Sequence, residues 1–233
     1  MKNVLRVMFV VSFAALLGAS MIAQKAVAPP PKGADSGPSL AATMQFIQEN
    51  MNNQDTVGWV ETRSDLSAIT FRDFYRISGV VADVASCTLH KIETTDIKID
   101  VAEGSTYNEG GTPVTGDDLS RHSVSTSTIH LRDIESIRVE SLQDLGNRSF
   151  AEKAHPEITV TITPAEYTLT LVASKPVFNF HVSFTKGKQS PIESDQSYKM
   201  DTLRFRDEDT ANRLAKAFTH AIELCGGGNK EPF

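Results

Sequence analysis

The hydrophobic positions along this chain change their period twice. Leu40, Met44 and Ile47 recur at helical spacing, which predicts an N-terminal helix of about three turns. Between residues 57 and 205, apolar and polar residues alternate instead, as they do in strands with one buried face. The helical period returns at residues 207–225, close to the end of the chain. The pattern therefore predicts a β-rich body with a helix at each end.

The alternating part of the chain predicts seven or eight strands. The clearest lies at residues 178–184, where three phenylalanines and a valine alternate with polar residues. Breaks fall at the Gly-rich segment 103–123, at Pro164 and at the polar segment 186–198, so we predict loops or turns there. Short strands at hairpin-like spacing favour an antiparallel barrel or sandwich over a parallel sheet.

The segment 207–225 predicts an amphipathic helix that packs against the strands. Asp207 is a suitable N-cap, and Gly226 and Gly227 permit a left-handed stop. The polar residues fall on the opposite side, so the apolar stripe is expected to be buried. The stripe consists of Ala211, Leu214, Ala215, Phe218, Ala221, Ile222 and Cys225.

The end of the chain carries a resemblance to a known fold. The stretch "MDTLRFRDEDTANRLAKAFTHAIELC", a strand leading into a helix, resembles the pleckstrin-homology-like (PH-like) fold, with "STIHLRDIESIRVES" as a strand pair. The ending "ANRLAKAFTHAIELCGGGNKEPF" looks like that of a group of uncharacterised secreted bacterial proteins. The resemblance implies a mainly β (α+β) fold: an antiparallel seven- or eight-stranded PH-like barrel or sandwich with an N-terminal helix and a C-terminal capping helix. It implies a bacterial host, and it does not indicate any particular activity. Phosphoinositide-binding members of this fold hold phosphate groups with a basic loop between their first two strands. The nearest candidate here, "VVADVAS", has no lysine or arginine, so phosphoinositide binding is not carried over.

The first 28 residues have the features of a secretory signal peptide. Lys2 and Arg6 precede an apolar run, and small residues follow it. An uncleaved anchor is the alternative, since the apolar stretch nearly has the length of a membrane span. We predict a Pro-rich disordered linker at 29–38 and a single domain at 39–233. The protein is therefore expected to be secreted or periplasmic.

The charge of the chain is acidic. The formal net charge is −6, and removal of residues 1–28 takes away three basic residues and no acid, which leaves −9. Nucleic-acid binding requires a basic surface, and an anionic membrane repels a chain of this charge. We therefore predict no nucleic-acid partner and no stable membrane anchor after cleavage of the signal.

The chain has two cysteines, Cys87 in a predicted strand and Cys225 at the end of the last helix. An even number of cysteines in an exported chain favours a disulfide, and two cysteines allow one intramolecular pairing. Two separate buried thiols are the alternative. A catalytic thiol is disfavoured, because an apolar stripe would hide the sulfur.

The sequence contains no standard motif for catalysis, metal binding or a cofactor. The zinc, phosphate-loop and nucleophile-elbow signatures are missing. Glu109, Asp117 and Asp118 lack the spacing of a calcium loop and predict a solvated acidic loop. A site that joins His122 and His130 to the two aspartates is a weaker alternative. The histidines are His90, His122, His130, His155, His181 and His220, of which the strand members His90, His130 and His181 are predicted to face solvent.

These features favour a non-enzymatic binding or interaction domain with a protein or peptide partner. Two alternatives stay open. One is an exported hydrolase whose site is built from scattered histidine and acidic residues, and the other is a small-molecule carrier that uses the barrel interior. Trp59 and Tyr75 would line the mouth of an open barrel, although core or rim packing is the simpler expectation for both.

Overall fold

The computed structural model describes residues 37–103, 107–109 and 112–228 of the chain. The predicted signal peptide and nearly all of the predicted linker lie outside the described residues. For residues 107–109, 112–114 and 118 only the backbone is described.

Strands dominate the fold, and four helices accompany them in the described ranges. The helices are α1 (Leu40–Asn52), α2 (Gly116–Leu119), α3 (Leu142–Glu152) and α4 (Glu208–Leu224), with a 3₁₀ turn at Leu131–Asp133. The strands are β1 (Val57–Arg63), β2 (Ile69–Asp83), β3 (Thr88–Val101), β4 (Tyr107–Glu109), β5 (Thr112–Val114), β6 (Arg121–His130), β7 (Ser136–Ser141), β8 (Val160–Thr163), β9 (Tyr167–Val172), β10 (Phe178–Lys186), β11 (Ile192–Tyr198) and β12 (Met200–Phe205).

Seven strands form one large antiparallel sheet in the order β11, β10, β6, β3, β2, β1, β8. A smaller sheet has the order β12, β9, β7, and β4 pairs with β5 in a separate hairpin. The prediction of a mainly antiparallel β fold is therefore confirmed. Closure of the large sheet into a barrel is not found in the described part of the chain, because its outer strands, β11 and β8, do not pair with each other.

The hydrophobic core lies between the large sheet, the small sheet and the helices α1 and α4. The large sheet contributes Tyr75, Leu89 and Phe178, and the small sheet contributes Leu169 and Leu203, all with no exposed surface. We call the side of the large sheet that carries Tyr75 and Phe178 the inner face, and the other side the outer face. Trp59 and Tyr75 belong to this core, so packing rather than a ligand mouth explains both.

The C-terminal helix has the orientation that its stripe predicts. Ala211, Leu214, Phe218, Ala221 and Ile222 are buried, and α4 packs against the small sheet and α1. The Asp207 side chain accepts a hydrogen bond from the backbone of Thr210 at 2.7 Å, which caps the first turn.

The predicted disulfide is present and ties the end of α4 to the large sheet. Cys87, just before β3, is bonded to Cys225, the C-cap of α4, with a Cα–Cα distance of 5.9 Å. Directly after the helix, Gly227 approaches the Leu131 carbonyl so closely that an added Cβ would lie 2.7 Å from its oxygen. The helix end therefore lies tightly against the turn that follows β6.

Several elements differ from the sequence prediction. The segment 186–198, predicted as a loop, contains the edge strand β11, and α3 was not predicted at all. The predicted loop at 103–123 includes the hairpin β4–β5, α2 and the start of β6. These elements carry few buried apolar residues, so their hydrophobic pattern is weak.

Candidate functional site

The outer face carries an open groove that crosses four strands. Its volume is about 590 Å³, within the usual range for ligand sites. The strand register explains the lining, because it places two adjacent rows of outer-face side chains across β3, β6, β10 and β11. One row is His90, Thr128, Asn179 and Ser197, and the next is Ile92, Thr126, His181 and Asp195.

Hydrogen bonds across the strands order the polar side chains of this outer groove. His90 Nδ1 lies 3.0 Å from Thr128 Oγ1, and the Ser197 hydroxyl donates to Asn179 Oδ1 at 2.6 Å. Ile92 adds an apolar surface that is 44 % exposed. The groove therefore offers both donors and acceptors at fixed positions around one apolar patch.

His181 is held between two carboxylates at the β11 side of the groove. Its Nδ1 lies 2.8 Å from Asp195 Oδ1, and its Nε2 lies 3.4 Å from Glu193 Oε2. The hydrogen bond to Asp195 is the main cause that raises the pKa of His181, and the charges of both carboxylates add to it. We call this β11 side of the groove, with Asp195 and Glu193, the acidic rim. Protonation of His181 therefore offsets part of its negative charge.

The other histidines do not assemble into one site in the described part of the chain. His122 Nδ1 lies 2.7 Å from Asp96 Oδ1 at one end of β6, and His130 is at the other end. They are eight positions apart along an extended strand, a distance of about 26 Å, so the predicted alternative of a shared site is wrong. His155 lies next to Glu157, and His220 donates to the Pro38 carbonyl.

The inner face carries a buried charged network where an apolar core is usual. Lys91 Nζ donates to Glu93 Oε2 at 2.6 Å and to Asp201 Oδ1 of β12 at 2.8 Å, and the Tyr75 hydroxyl donates to Glu93 at 3.0 Å. Burial alone lowers the pKa of Lys91, but the carboxylates of Asp201 and Glu93 outweigh it, and the net shift is upward. Lys91 is therefore a charged link between the two sheets.

A second group of polar side chains lies farther along the same face. Trp59 of β1 and Asp73 of β2 are direct cross-strand partners, and both are more than nine-tenths buried. Glu61 is diagonal to Asp73, and the Arg204 guanidinium of β12 lies over the Trp59 ring, 5.3 Å from its centroid. We call Trp59, Glu61, Asp73 and Arg204 the inner polar cluster.

The surroundings of Asp73 destabilise the ionised form of its carboxyl group. Burial is the main cause that raises its pKa to about 7, and the neighbouring Glu61 raises it further, against the attraction of Arg204 and Arg121. Burial likewise raises the pKa of Glu61. Near neutral pH, Asp73 and Glu61 together therefore carry less than two negative charges.

Three buried atoms of the inner polar cluster have no hydrogen-bond partner among the described residues. They are Trp59 Nε1, Asp73 Oδ2 and Arg204 Nε. Buried polar atoms in folded proteins are paired in the great majority, with protein groups or with water. The hydrogen bonding of the cluster is therefore incomplete among the described residues, at atoms that have almost no accessible surface.

Asp73, Lys91 and Glu93 are not among the residues predicted from the sequence. A signal exists, because these charged residues occupy positions in β2 and β3 where the period-two pattern requires inward-facing side chains. Polar residues at such positions indicate a buried network.

No group of three or more histidine, cysteine, aspartate or glutamate side chains in the described ranges is arranged to hold a metal ion. None of the described helices combines the length and the apolar character that a bilayer crossing requires.

The chain thus presents two candidate regions on opposite faces of one sheet, an open outer groove and a buried inner polar cluster. Comparisons with protein-family models, with curated proteins and with solved structures found no match to this chain.

Proposed function

We propose that this protein is an exported, non-enzymatic binding domain whose outer groove holds an extended segment of a partner polypeptide that carries basic side chains. The observation that carries the proposal is the pair of polar side-chain rows across β3, β6, β10 and β11. Their donors and acceptors suit the amide groups of an extended chain, and Ile92 suits one apolar side chain.

The charge at the β11 side favours a basic partner. Asp195 and Glu193 expose 87 % and 56 % of their side chains beside the groove. The whole chain is acidic as well, with a net charge of −6. Complementary charge accelerates association and orients the partner, so a peptide with Lys or Arg at alternate positions fits this rim.

The faces of the sheet favour binding over hydrolysis. The strand histidines His90, His122 and His181 are exposed on the outer face, whereas Glu61 and Asp73 lie on the inner face. The sheet therefore keeps the buried carboxyl groups with raised pKa values apart from the exposed histidines, and the carboxylates that do contact His181 and His122 lie on the open outer face. Phe178, Phe205 and Phe218 fill the core, which disfavours a hollow carrier.

Export and a PH-like architecture remain part of this proposal. The Cys87–Cys225 bond suits an oxidising compartment, which supports a secreted or periplasmic location. β12 leads into α4 after two residues, and α4 packs on the small sheet, which supports a distant PH-like relationship.

A matched peptide pair tests the proposed function. Two synthetic peptides of equal length differ only in carrying lysine or glutamate at alternate positions, and binding to the protein is measured by calorimetry. We expect the lysine peptide alone to bind, and the double variant Glu193→Gln/Asp195→Asn to bind it about tenfold more weakly, through the loss of rim charges.

Asp100→Asn is the control, because Asp100 lies on the outer face of β3 outside the groove and pairs with Arg72. Equal binding of both peptides, or an equal loss in the control, would contradict the proposal.

The same site predicts a pH dependence. Asp195 and Glu193 raise the pKa of His181, so protonation of this histidine places a competing positive charge on the rim as the pH falls. We expect the lysine peptide to bind more weakly when the pH drops below the pKa of His181. A His181→Gln variant should lose this dependence, and calorimetry across the titration range of His181 measures it.

A further inference from the structure

We propose that the free edge of β11 binds the β11 edge of a second copy of this chain, in an antiparallel strand pair with two-fold symmetry. The inference goes beyond the proposed function, because it concerns the backbone edge of the large sheet and not the side chains of the outer groove. β11 is an outermost strand of that sheet, and in the described part of the chain it pairs only with β10.

Other edges of the large sheet are capped by amide side chains of nearby helices. In β8, at the opposite edge, the backbone N–H of Val160 donates to the Asn147 side chain of α3 at 2.8 Å. In the part of β2 that extends beyond its pairing with β1, the backbone N–H of Val80 donates to the Asn52 side chain of α1 at 2.6 Å. Such caps occupy backbone groups that would otherwise pair with another strand.

The edge of β11 has no equivalent cap among the described residues. Its backbone is hydrogen-bonded by β10 and by Val177, the residue before β10, and by none of the described side chains. Five of the seven residues of β11 are exposed, and Asp195 exposes 87 % of its side chain. The N–H and C=O groups that point away from β10 therefore form a template for a further strand.

The charges along β11 favour a second copy in one register. An antiparallel pair centred on Gln196 places Asp195 opposite the neutral Ser197 of the second copy. The same register places Glu193 opposite Lys199 of the second copy, the residue that directly follows β11. Two-fold symmetry repeats both contacts, so the pair contains two attractive cross-strand ion pairs and no directly opposed acids.

Other registers of this pair are less favourable. A pair centred on Asp195 places two carboxylates directly opposite each other, and one centred on Ser194 places Glu193 opposite Asp195 twice. Like charges at opposed positions destabilise a strand pair, and registers centred farther along the strand pair fewer residues. The register centred on Gln196 keeps residues 194–198 paired and avoids both costs.

The proposed pair also aligns the outer faces of the two copies. The two-fold axis runs perpendicular to the sheet, so both outer faces lie on the same side and the two outer grooves meet at the β11 edges. The contact is one strand wide, so the dimer should be weak, with a Kd on the order of 10–100 μM. The interface is self-complementary, and association through it stops at the dimer.

Sedimentation equilibrium of the oxidised chain without its predicted signal peptide measures the association. Over protein concentrations from about 10 μM to about 1 mM, we expect a monomer–dimer equilibrium. Amide hydrogen exchange by NMR locates the contact. The amides of β11 that point away from β10 should become protected as the protein concentration rises, because they enter the new ladder.

Charge reversal tests the register. Glu193→Lys opposes Lys199 of the second copy at two symmetric positions, so the Kd of the dimer should rise about tenfold or more. Lys199→Glu should have the same effect, and the double variant Glu193→Lys/Lys199→Glu should restore the wild-type value. Asp100→Lys is the matched control, because Asp100 is an exposed acid of β3 away from β11, and it should leave the Kd unchanged.

Three results would overturn the proposal. One is a wild-type chain that stays monomeric up to about 1 mM. The second is a dimer that Glu193→Lys leaves intact, which would place the contact on another surface. The third is a folded double variant that does not regain association, which would exclude the register. If one single variant fails to fold, the other single variant and the amide exchange of wild type decide the question.

Discussion

At the residue scale, the inward-facing charges of the two sheets divide into two kinds. Lys91, Glu93 and Asp201 form a paired network in which each residue has a hydrogen bond to an opposite charge. Asp73 has no such partner within the described ranges, although Arg204 and Arg121 lie near enough to act through space. A paired buried charge holds elements together, whereas an unpaired one costs free energy whenever it ionises.

The free energy of unfolding should depend on the ionisation of Asp73. Burial raises the pKa of Asp73 from the ordinary value of 3.8 to about 7, so the folded state binds the proton more tightly than the unfolded state does. The contribution is fully present below the lower value and is lost as the pH rises through the higher one, with a magnitude on the order of a few kcal/mol. Asp73→Asn should therefore be stabilised relative to wild type as the pH rises.

Urea unfolding of both proteins over this pH range measures the effect. A difference between wild type and Asp73→Asn that is the same at every pH would show that Asp73 ionises normally in the folded protein.

Lys91 is a buried charge that is paired, so its removal should destabilise the fold. Replacement by Met removes the shared partner of Glu93 and Asp201 and leaves two buried carboxyl groups uncompensated. We expect a loss of about 3–5 kcal/mol in the free energy of unfolding, measured by urea denaturation. Lys98→Met is a suitable control, because Lys98 makes no ion pair among those found in the described chain and lies over the exposed Phe74 ring.

At the scale of elements, α4 and β11 illustrate two ways in which a segment acquires its structure. α4 has a continuous apolar stripe and a capping aspartate, so local sequence and burial agree. β11 has only Ile192 and Tyr198 as large apolar residues, and most of its residues are exposed. β11 is a strand because β10 offers it a ladder of backbone hydrogen bonds.

The stripe of α4 predicts where the helix is sensitive to substitution. Phe218 has no exposed surface and lies in the core, so Phe218→Ala should lower the free energy of unfolding by about 3–5 kcal/mol. Thr219, the next residue, is exposed, and Thr219→Ala should change stability by less than about 0.5 kcal/mol. Chemical denaturation of the two variants tests the contrast, and similar losses would mean that α4 does not pack as described.

At the scale of the whole molecule, the disulfide connects the C-terminal helix to the large sheet across most of the sequence. Cys87 and Cys225 are 138 residues apart, so the bond constrains a long loop of the unfolded chain. The core beneath it is extensive and comes from both sheets and two helices. The bond therefore adds to a fold that already has its own core.

The double variant Cys87→Ser/Cys225→Ser should keep the native secondary structure and lose stability. The loop-entropy model gives a loss of up to about 5 kcal/mol for a loop of this length. Circular dichroism and urea unfolding, with and without reductant, measure both quantities. Wild type should respond to the reductant and the variant should not. An unfolded variant would show that the core alone is insufficient.

The sequence by itself determined the features that depend on neighbouring residues. The α1 and α4 periods, the alternation of β10 and the antiparallel β class follow from local spacing, and the number of cysteines allows only the pairing of Cys87 with Cys225 within one chain. The tertiary structure decided which distant positions meet. Strand register brings Trp59 beside Asp73 and places Arg204 above them, and it also aligns the two rows of the outer groove. Those contacts join residues up to 145 positions apart, for which no local period exists, and only the pairing of strands selects them.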